Sequence, residues 1–254
     1  MSITKESELS GMQEISTVVG TILRKMREYT EPGMSTGELD QYASKLFKKY
    51  KAKSAPFETY GFPGFTCISV NNEAAHGIPN NQKILKEGDL INIDVSAELN
   101  GFWADNGGSF ILGDDKQGLQ PLVEASKIIL KKAINQCIGG ARIADVGDTM
   151  ESQAKQLGFK VIKNLAGHGV GRSLHEKPDN ILNYKVHSNW SRFNNNTTVA
   201  IETFISTHSS LVRETGDGWT LVGTKGGFIA QHEHTIMIRD KQALVMTECN
   251  GIWE

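Results

Sequence analysis

Asp89-Leu-Ile-Asn-Ile-Asp94-Val-Ser-Ala-Glu-Leu-Asn100-Gly101-Phe-Trp-Ala-Asp105 is the stretch on which the fold of this 254-residue chain turns. Asn100-Gly101 is the strongest two-residue hairpin signal a sequence can carry, because both residues tolerate positive φ. A turn there pairs Leu99 with Phe102 and Ser96 with Asp105. Asp94 then faces Gly107 and lies diagonally from Asp105 on the same face of the hairpin. Diagonal neighbours sit about 7–8 Å apart, close enough for two carboxylates to share a metal site. Ile91, Ile93, Val95 and Ala97 point the other way and supply an apolar anchor. The bland alternative is an amphipathic hairpin whose polar face meets water.

Two helices precede the hairpin. Met12, Ile15, Val19, Ile22, Leu23 and Met26 recur at helical spacing up to Pro32-Gly33. Ser35 and Glu38 form a capping box for a second helix burying Leu39, Ala43, Leu46, Phe47 and Tyr50. The same phrase returns 107 positions later, where Met12, Ile15, Ile22 and Leu23 map onto Leu119, Leu122, Ile129 and Leu130. Gly33, Leu39 and Tyr50 map likewise onto Gly140, Val146 and Leu157. Strands are predicted over 66–70, 89–97 and 102–111, and again over 160–163, 198–206 and 227–238. The expected fold is therefore α+β, with two similar halves, about 5–115 and 116–250, sharing one antiparallel sheet as a single domain.

Composition narrows the class. Hydrophobic residues make up 39% and charged residues 22%, as in an ordinary globular protein. A net charge of -2 points to neither DNA nor a membrane surface. The first residues, MSITKESELSG, are polar, and no apolar run reaches the length of a membrane span. Cys67, Cys137 and Cys249 are odd in number and widely spaced, which favours a reducing, cytoplasmic setting over a disulfide framework. Lys48, Lys49, Lys51 and Lys53 form a basic run that reads most simply as a solvated helix end.

Three further residues fit poorly with solvated surface. Glu202 interrupts the apolar run Val199–Ile205, where an unpaired carboxylate is costly. Glu233 sits in the strand-like Gln-His-Glu-His-Thr-Ile-Met-Ile over 231–238. His168 lies in Gly-His-Gly-Val-Gly, where glycines let backbone and ligands approach an imidazole. Each alone has an ordinary structural account. Together with Asp94 and Asp105 they offer four carboxylates and one imidazole, a set suited to two divalent cations such as Mn, Co, Fe or Zn. Two such ions about 3.5–4 Å apart make a hydrolytic site.

Over nearly its whole length the sequence resembles the methionine aminopeptidases of the short type I form. The likeness is carried by Cys67-Ile-Ser-Val-Asn, His76-Gly-Ile-Pro79, Glu87-Gly88-Asp89, Asn92-Ile-Asp94-Val, Gly167-His168-Gly-Val-Gly and Glu233-His234-Thr235. The resemblance implies a pita-bread fold of two pseudo-symmetric αβ halves around a curved antiparallel sheet. It implies metal ligands Asp94, Asp105, His168, Glu202 and Glu233, with Asp94 on one ion, Asp105 and Glu233 shared, and His168 and Glu202 on the other. Glu202 would also carry a proton, His76 and His175 would contact substrate, and Tyr60, Phe62, Cys67, Leu174 and Trp219 would form a methionine pocket. The implied activity is removal of the first methionine, with small second residues favoured, by a monomer that acts on N-terminal methionyl peptides and nascent chains and leaves the ribosome open as a partner.

The chain departs from that pattern at Thr203, where proline is usual, at Asn106 and Ser96, where threonine is common, and at Leu174 and Tyr60, where an aromatic residue and histidine are frequent. These affect pocket detail and not the ligand set. Two rival readings remain: an X-Pro aminopeptidase or prolidase, which usually carries an extra N-terminal domain, and a non-catalytic binding protein of the same fold.

Overall fold

The hairpin forms in the register the turn dictates. Asn100 and Gly101 take φ of 54° and 80°, and the ladder joins Leu99 to Phe102, Ser96 to Asp105 and Asp94 to Gly107. These strands belong to a computed structural model that describes residues 1–253. The first half runs α1 (Glu6–Tyr29), α2 (Thr36–Tyr50), β1 (Lys53–Ser54), α3 (Ala55–Tyr60), β2 (Cys67–Val70), β3 (Glu73–Ala75), β4 (Leu90–Leu99) and β5 (Phe102–Ile111). The second runs α4 (Gln120–Gln136), α5 (Ile143–Gln156), β6 (Lys160–Val161), β7 (Ala166–Gly169), β8 (Glu176–Leu182) and β9 (Thr198–Ser206). It continues through β10 (Val212–Glu214), β11 (Leu221–Gly223), β12 (Ile229–Met237) and β13 (Leu244–Val245).

Strands β1-β4-β5-β12-β9-β7-β8 lie side by side in an antiparallel sheet, with β2 also on β4, β6 on β9 and β13 on β12. The order is symmetric about the β5–β12 junction. Long strands β4 and β9 flank it, β1 and β6 pair with them outside, and β2 and β7 occupy matching places. Helix α1 ends at Tyr29 and α4 at Gln136, while α2 begins at Thr36 and α5 at Ile143, each pair 107 residues apart. This is the α+β architecture of two like halves on one curved sheet.

Packing explains why the helices sit where they do. Met12, Ile15, Val19, Ile22, Leu23 and Met26 are fully buried, and this face of α1 packs on β4 and β5. Ile129 and Leu130 of α4 are equally buried, and α4 lies on β9 and β12. Burying each such side chain contributes about 1.5–3 kcal/mol. Both helix layers therefore cover one face of the sheet and leave the other for the carboxylates. Ser35 caps α2 as its sequence requires: Ser35 Oγ accepts from Glu38 N–H at 3.1 Å, and Glu38 Oε2 accepts from Ser35 N–H at 2.8 Å. Tyr50 is only half-buried at the helix end.

Two features go beyond the predicted strands. Glycine-rich 166–169 is a strand, β7, inserted between β9 and β8. A second, three-stranded sheet, β10-β11-β3, packs Ala74, Ala75 and Val212 against Phe204, Ile162 and Ile229 beside the open face of the main sheet. Among the described residues no helix is long and apolar enough to cross a membrane.

Candidate metal centre and cleft

The symmetric sheet delivers one carboxylate from each of its four central strands. Asp94 of β4 is opposite Gly107 of β5, Gly107 is opposite Glu233 of β12, and Glu233 is opposite Glu202 of β9. Residues in one such cross-strand row face the same side of a sheet. Cys67 of β2 extends the row beyond Asp94. Asp105, two residues before Gly107, adds a fourth carboxylate on that face. Gly107 is the one member of the row without a side chain, and the Gln231 amide takes up the space beside it. His168 comes from β7, opposite Ala200, and its Nε2 lies 3.7 Å from Asp105 Oδ2.

Crowding buried acids has an electrostatic consequence. Asp105, Glu202 and Glu233 are buried and Asp94 is half-buried. Burial pushes the carboxyls of Asp94, Glu202 and Glu233 well above the usual range, and repulsion from Asp105 adds to each shift. Asp105 itself is raised by burial to about 6, against the opposing hydrogen bonds of Asp94 and the Asn106 backbone. Burial and the nearby His175 lower His168 to about 3, so its ring is neutral at pH 7. The groups fit a divalent cation. Asp105 Oδ1 and Glu233 Oε1 are buried without hydrogen-bond partners, and ligand atoms of Asp105, His168 and Glu233 all lie within 4.8 Å of one another. A cation would satisfy the orphaned oxygens and reverse the repulsion that raises the carboxyls.

Neighbouring side chains orient these groups. His168 Nδ1 is 3.0 Å from the Gly169 carbonyl, which can only accept, so Nδ1 carries the proton and Nε2 keeps its lone pair for a metal. Gln231 Nε2 donates to Glu233 Oε2 at 3.0 Å, and Gln231 Oε1 accepts from Asn92 Nδ2 at 2.8 Å. Thr235 Oγ1 donates to the Asp105 carbonyl at 2.7 Å and accepts from the Asp105 N–H at 2.9 Å, tying β12 to β5 beside the carboxylate. Gln231 and Thr235 were not anticipated from sequence. They lie two residues either side of Glu233 on a strand, and that period-2 spacing was the available signal.

The carboxylates form the floor of a cavity of about 520 Å³. All twelve residues singled out in the sequence line it: the five candidate ligands with His76, His175, Tyr60, Phe62, Cys67, Leu174 and Trp219. At its apolar end Phe62 meets Trp219 edge to face, with centroids 5.2 Å apart and planes at 89°. Phe204, which the sequence shows only as part of the apolar run 199–205, completes the apolar wall with Leu165, Leu182 and Ala75. Phe204 follows Glu202 by two on β9, so strand alternation aims both the same way. His76 sits in the left-handed region at φ 53°, uncommon for a residue other than glycine. Burial lowers the pKa of His76 and of His175, the latter also through His76. The His175 ring lies 4.0 Å from the His168 ring at a tilt of 44°, and its Nδ1 is 2.6 Å from the Tyr60 hydroxyl.

The departures from the expected pattern sort by face. Thr203 is buried on the helix side, its hydroxyl 2.9 Å from Ser126 Oγ of α4. Asn106 is buried on that side too and donates to the Val95 carbonyl at 2.9 Å. Ser96, Leu174 and Tyr60 line the cavity.

Comparison with known proteins agrees with this geometry. Residues 10–240 match the model of metallopeptidase family M24. The chain is 43% identical over 248 residues to methionine aminopeptidase 2 of Bacillus subtilis, covering 98% of this chain and 100% of that one. The crystal structure of a methionine aminopeptidase from Thermotoga maritima superposes with a TM-score of 0.92 at 35% identity, over 97% of this chain and 99% of that one. A prolidase from Pyrococcus furiosus superposes at 0.76 with 18% identity over 97% of this chain and 65% of its own, a likeness of fold alone. The fold is thus the pita-bread fold, its ligand-rich face implies use of divalent metal, and the chain belongs to metallopeptidase family M24.

Proposed function

We propose that this protein removes the N-terminal methionine from peptides and nascent chains. The observation that carries the reading is the placement of an apolar and sulfur-lined pocket directly beside a row of carboxylates with orphaned oxygens. Asp94 would hold one cation, Asp105 and Glu233 would be shared, and His168 and Glu202 would hold the second. Bound there, divalent cations such as Co, Mn, Fe or Zn would supply a water of lowered pKa and polarise the scissile carbonyl.

The chain's own groups do the rest. Phe62, Trp219, Cys67 and Leu174 enclose a thioether side chain, which suits the polarisable sulfur of methionine. Tyr60 forms the outer wall. Glu202, a buried carboxylate with raised proton affinity, accepts a proton and returns it to the leaving amine. His175, a neutral imidazole at the cavity wall, donates to the oxygen on which charge develops. His76 hydrogen-bonds the amide after the cut. The whole chain acts as one catalytic domain, as a cytoplasmic monomer favouring small second residues, with nascent chains at the ribosome among its substrates and no DNA or membrane partner.

The test is cleavage of Met-Ala-Ser and Ala-Pro-Ala by metal-stripped protein titrated with Mn or Co, alongside Asp105→Asn. Metal-dependent release of methionine from the first peptide only, abolished in the variant, is expected. Cleavage of Ala-Pro-Ala would support a prolidase-like activity, and no cleavage at any metal level would overturn the enzymatic reading.

A further inference from the structure

Two imidazoles lie against each other in this cleft, tilted by 44°, and the atoms at their Nδ1 positions give them opposite chemistry. His168 Nδ1 faces the Gly169 carbonyl at 3.0 Å. A carbonyl has no proton to give, so His168 is protonated on Nδ1 and presents a bare Nε2 toward Asp105. His175, only 4.0 Å away ring to ring, has the Tyr60 hydroxyl 2.6 Å from its own Nδ1. A phenol is a good donor and a poor acceptor, because its oxygen lone pair is drawn into the ring. An imidazole nitrogen lone pair is among the best acceptors a protein has. The O–H of Tyr60 therefore donates, His175 Nδ1 accepts, and the ring proton moves to Nε2, the nitrogen left for the cavity.

We infer that Tyr60 is a positioning residue: it holds His175 in the Nε2–H form and in one ring orientation, making it a hydrogen-bond donor to the reacting carbonyl while its neighbour His168 remains a metal ligand. Tyr60 is the last residue of α3 in the first half, and His175 precedes β8 in the second. The bond spans 115 residues of sequence and bridges the two walls of the cleft. Ser173 Oγ, which donates to the His175 carbonyl at 2.9 Å, fixes the backbone from which the ring projects. His175 is exposed to the cavity, and its ring is flanked by His168 and Tyr60 alone among the aromatic side chains. The role rests on the proposed activity for its catalytic consequence, but the protonation state of the ring does not.

The experiment has two arms. In the zinc-loaded protein with 15N-labelled histidine, long-range 15N–1H spectra should show His175 protonated on Nε2, with an Nδ1 resonance that shifts in Tyr60→Phe as the donor is lost. In kinetics on Met-Ala-Ser, Tyr60→Phe should lower kcat about 3- to 10-fold, the weight of one hydrogen bond, with KM changed less than about 2-fold. In a His175→Ala background the same change should have no further effect on kcat, because Tyr60 acts through that ring. Protonation of His175 on Nδ1 in the parent protein would overturn the inference. So would additive losses in the double variant, or a rise in KM with kcat unchanged, which would make Tyr60 a pocket wall only. An inactive parent protein would refute the proposed function, and the spectra would still decide the tautomer.

Discussion

Replacing Gly107 by alanine tests how the carboxylate row is held. The backbone accommodates the change, since Gly107 is not among the glycines with positive φ. The added methyl is the difficulty: it would lie 2.5 Å from Gln231 Oε1 and 2.7 Å from Nε2. An amide at the end of a flexible side chain usually yields cheaply. This one is 1% exposed and bonded at both ends, to Asn92 and to Glu233. Retreating by about 1 Å breaks bonds that begin at 2.8 and 3.0 Å. One neutral bond and one to a carboxylate together represent about 2–4 kcal/mol. For a chain of this size that lowers Tm by roughly 5–15 °C. Freed from Gln231, Glu233 should also lose cation affinity about 10- to 100-fold, the usual effect of removing a partner behind a ligand. Calorimetric titration with Mn and thermal melts of both forms measure the two effects. The double variant Gly107→Ala/Gln231→Ala should be no worse than Gln231→Ala alone. Wild-type Mn affinity with a Tm within about 1 °C of the parent would refute the reasoning.

Other consequences follow from the same geometry. Without metal, Asp105 has its pKa raised from 3.8 to about 6, so the folded state holds a proton the unfolded chain has released, and the stability this brings below pH 4 is lost as pH rises through 6. Glu8 and Asp217, whose pKa values are lowered to about 2, finish titrating below that window. His168 and His234, lowered to about 3, act in the opposite sense up to pH 6.5, so the Asp105 contribution is read by difference. The Tm of the metal-free parent relative to Asp105→Asn should fall between pH 5 and pH 7, and a constant difference would contradict this. Asp40 of α2 is buried and accepts from the Phe65 and Thr66 N–H groups and the Thr66 hydroxyl, pinning the chain just before Cys67. Asp40→Ala should cost about 2–4 kcal/mol in denaturant melts, because it orphans buried donors. Trp219→Ala removes the edge-to-face partner of Phe62 and should raise KM for methionyl peptides about 2- to 10-fold, the equivalent of one aromatic pair; an unchanged KM would place methionine elsewhere.

The hairpin register, the apolar stripes of α1 and α4, the cap of α2 and the five candidate ligands that meet in one cavity were all legible in the chain. Each depends on local rules: a two-residue turn sets strand pairing, a 3.6-residue period sets a buried face, and a carboxylate within an apolar strand advertises a cost that something must offset. The quintet became specific only through its flanking words, since each residue alone had an ordinary account. No local rule reports that β5 pairs with β12, more than 100 residues later, and hence that Asp94, Gly107, Glu233 and Glu202 fall in one row. The strand at 166–169 was hidden by its glycines, whose lack of side chains erases the alternation that marks a strand. Phe204 was indistinguishable from core, because a pocket wall and a packed interior call for the same side chain. Gln231 and Tyr60 acquired meaning only from the atoms they touch, Glu233 and His175. Sequence pattern thus specified which groups were present and which way each strand faces. Packing between distant segments decided which groups meet, because contact across the sheet is selected by the burial of whole faces and leaves no mark on neighbouring residues.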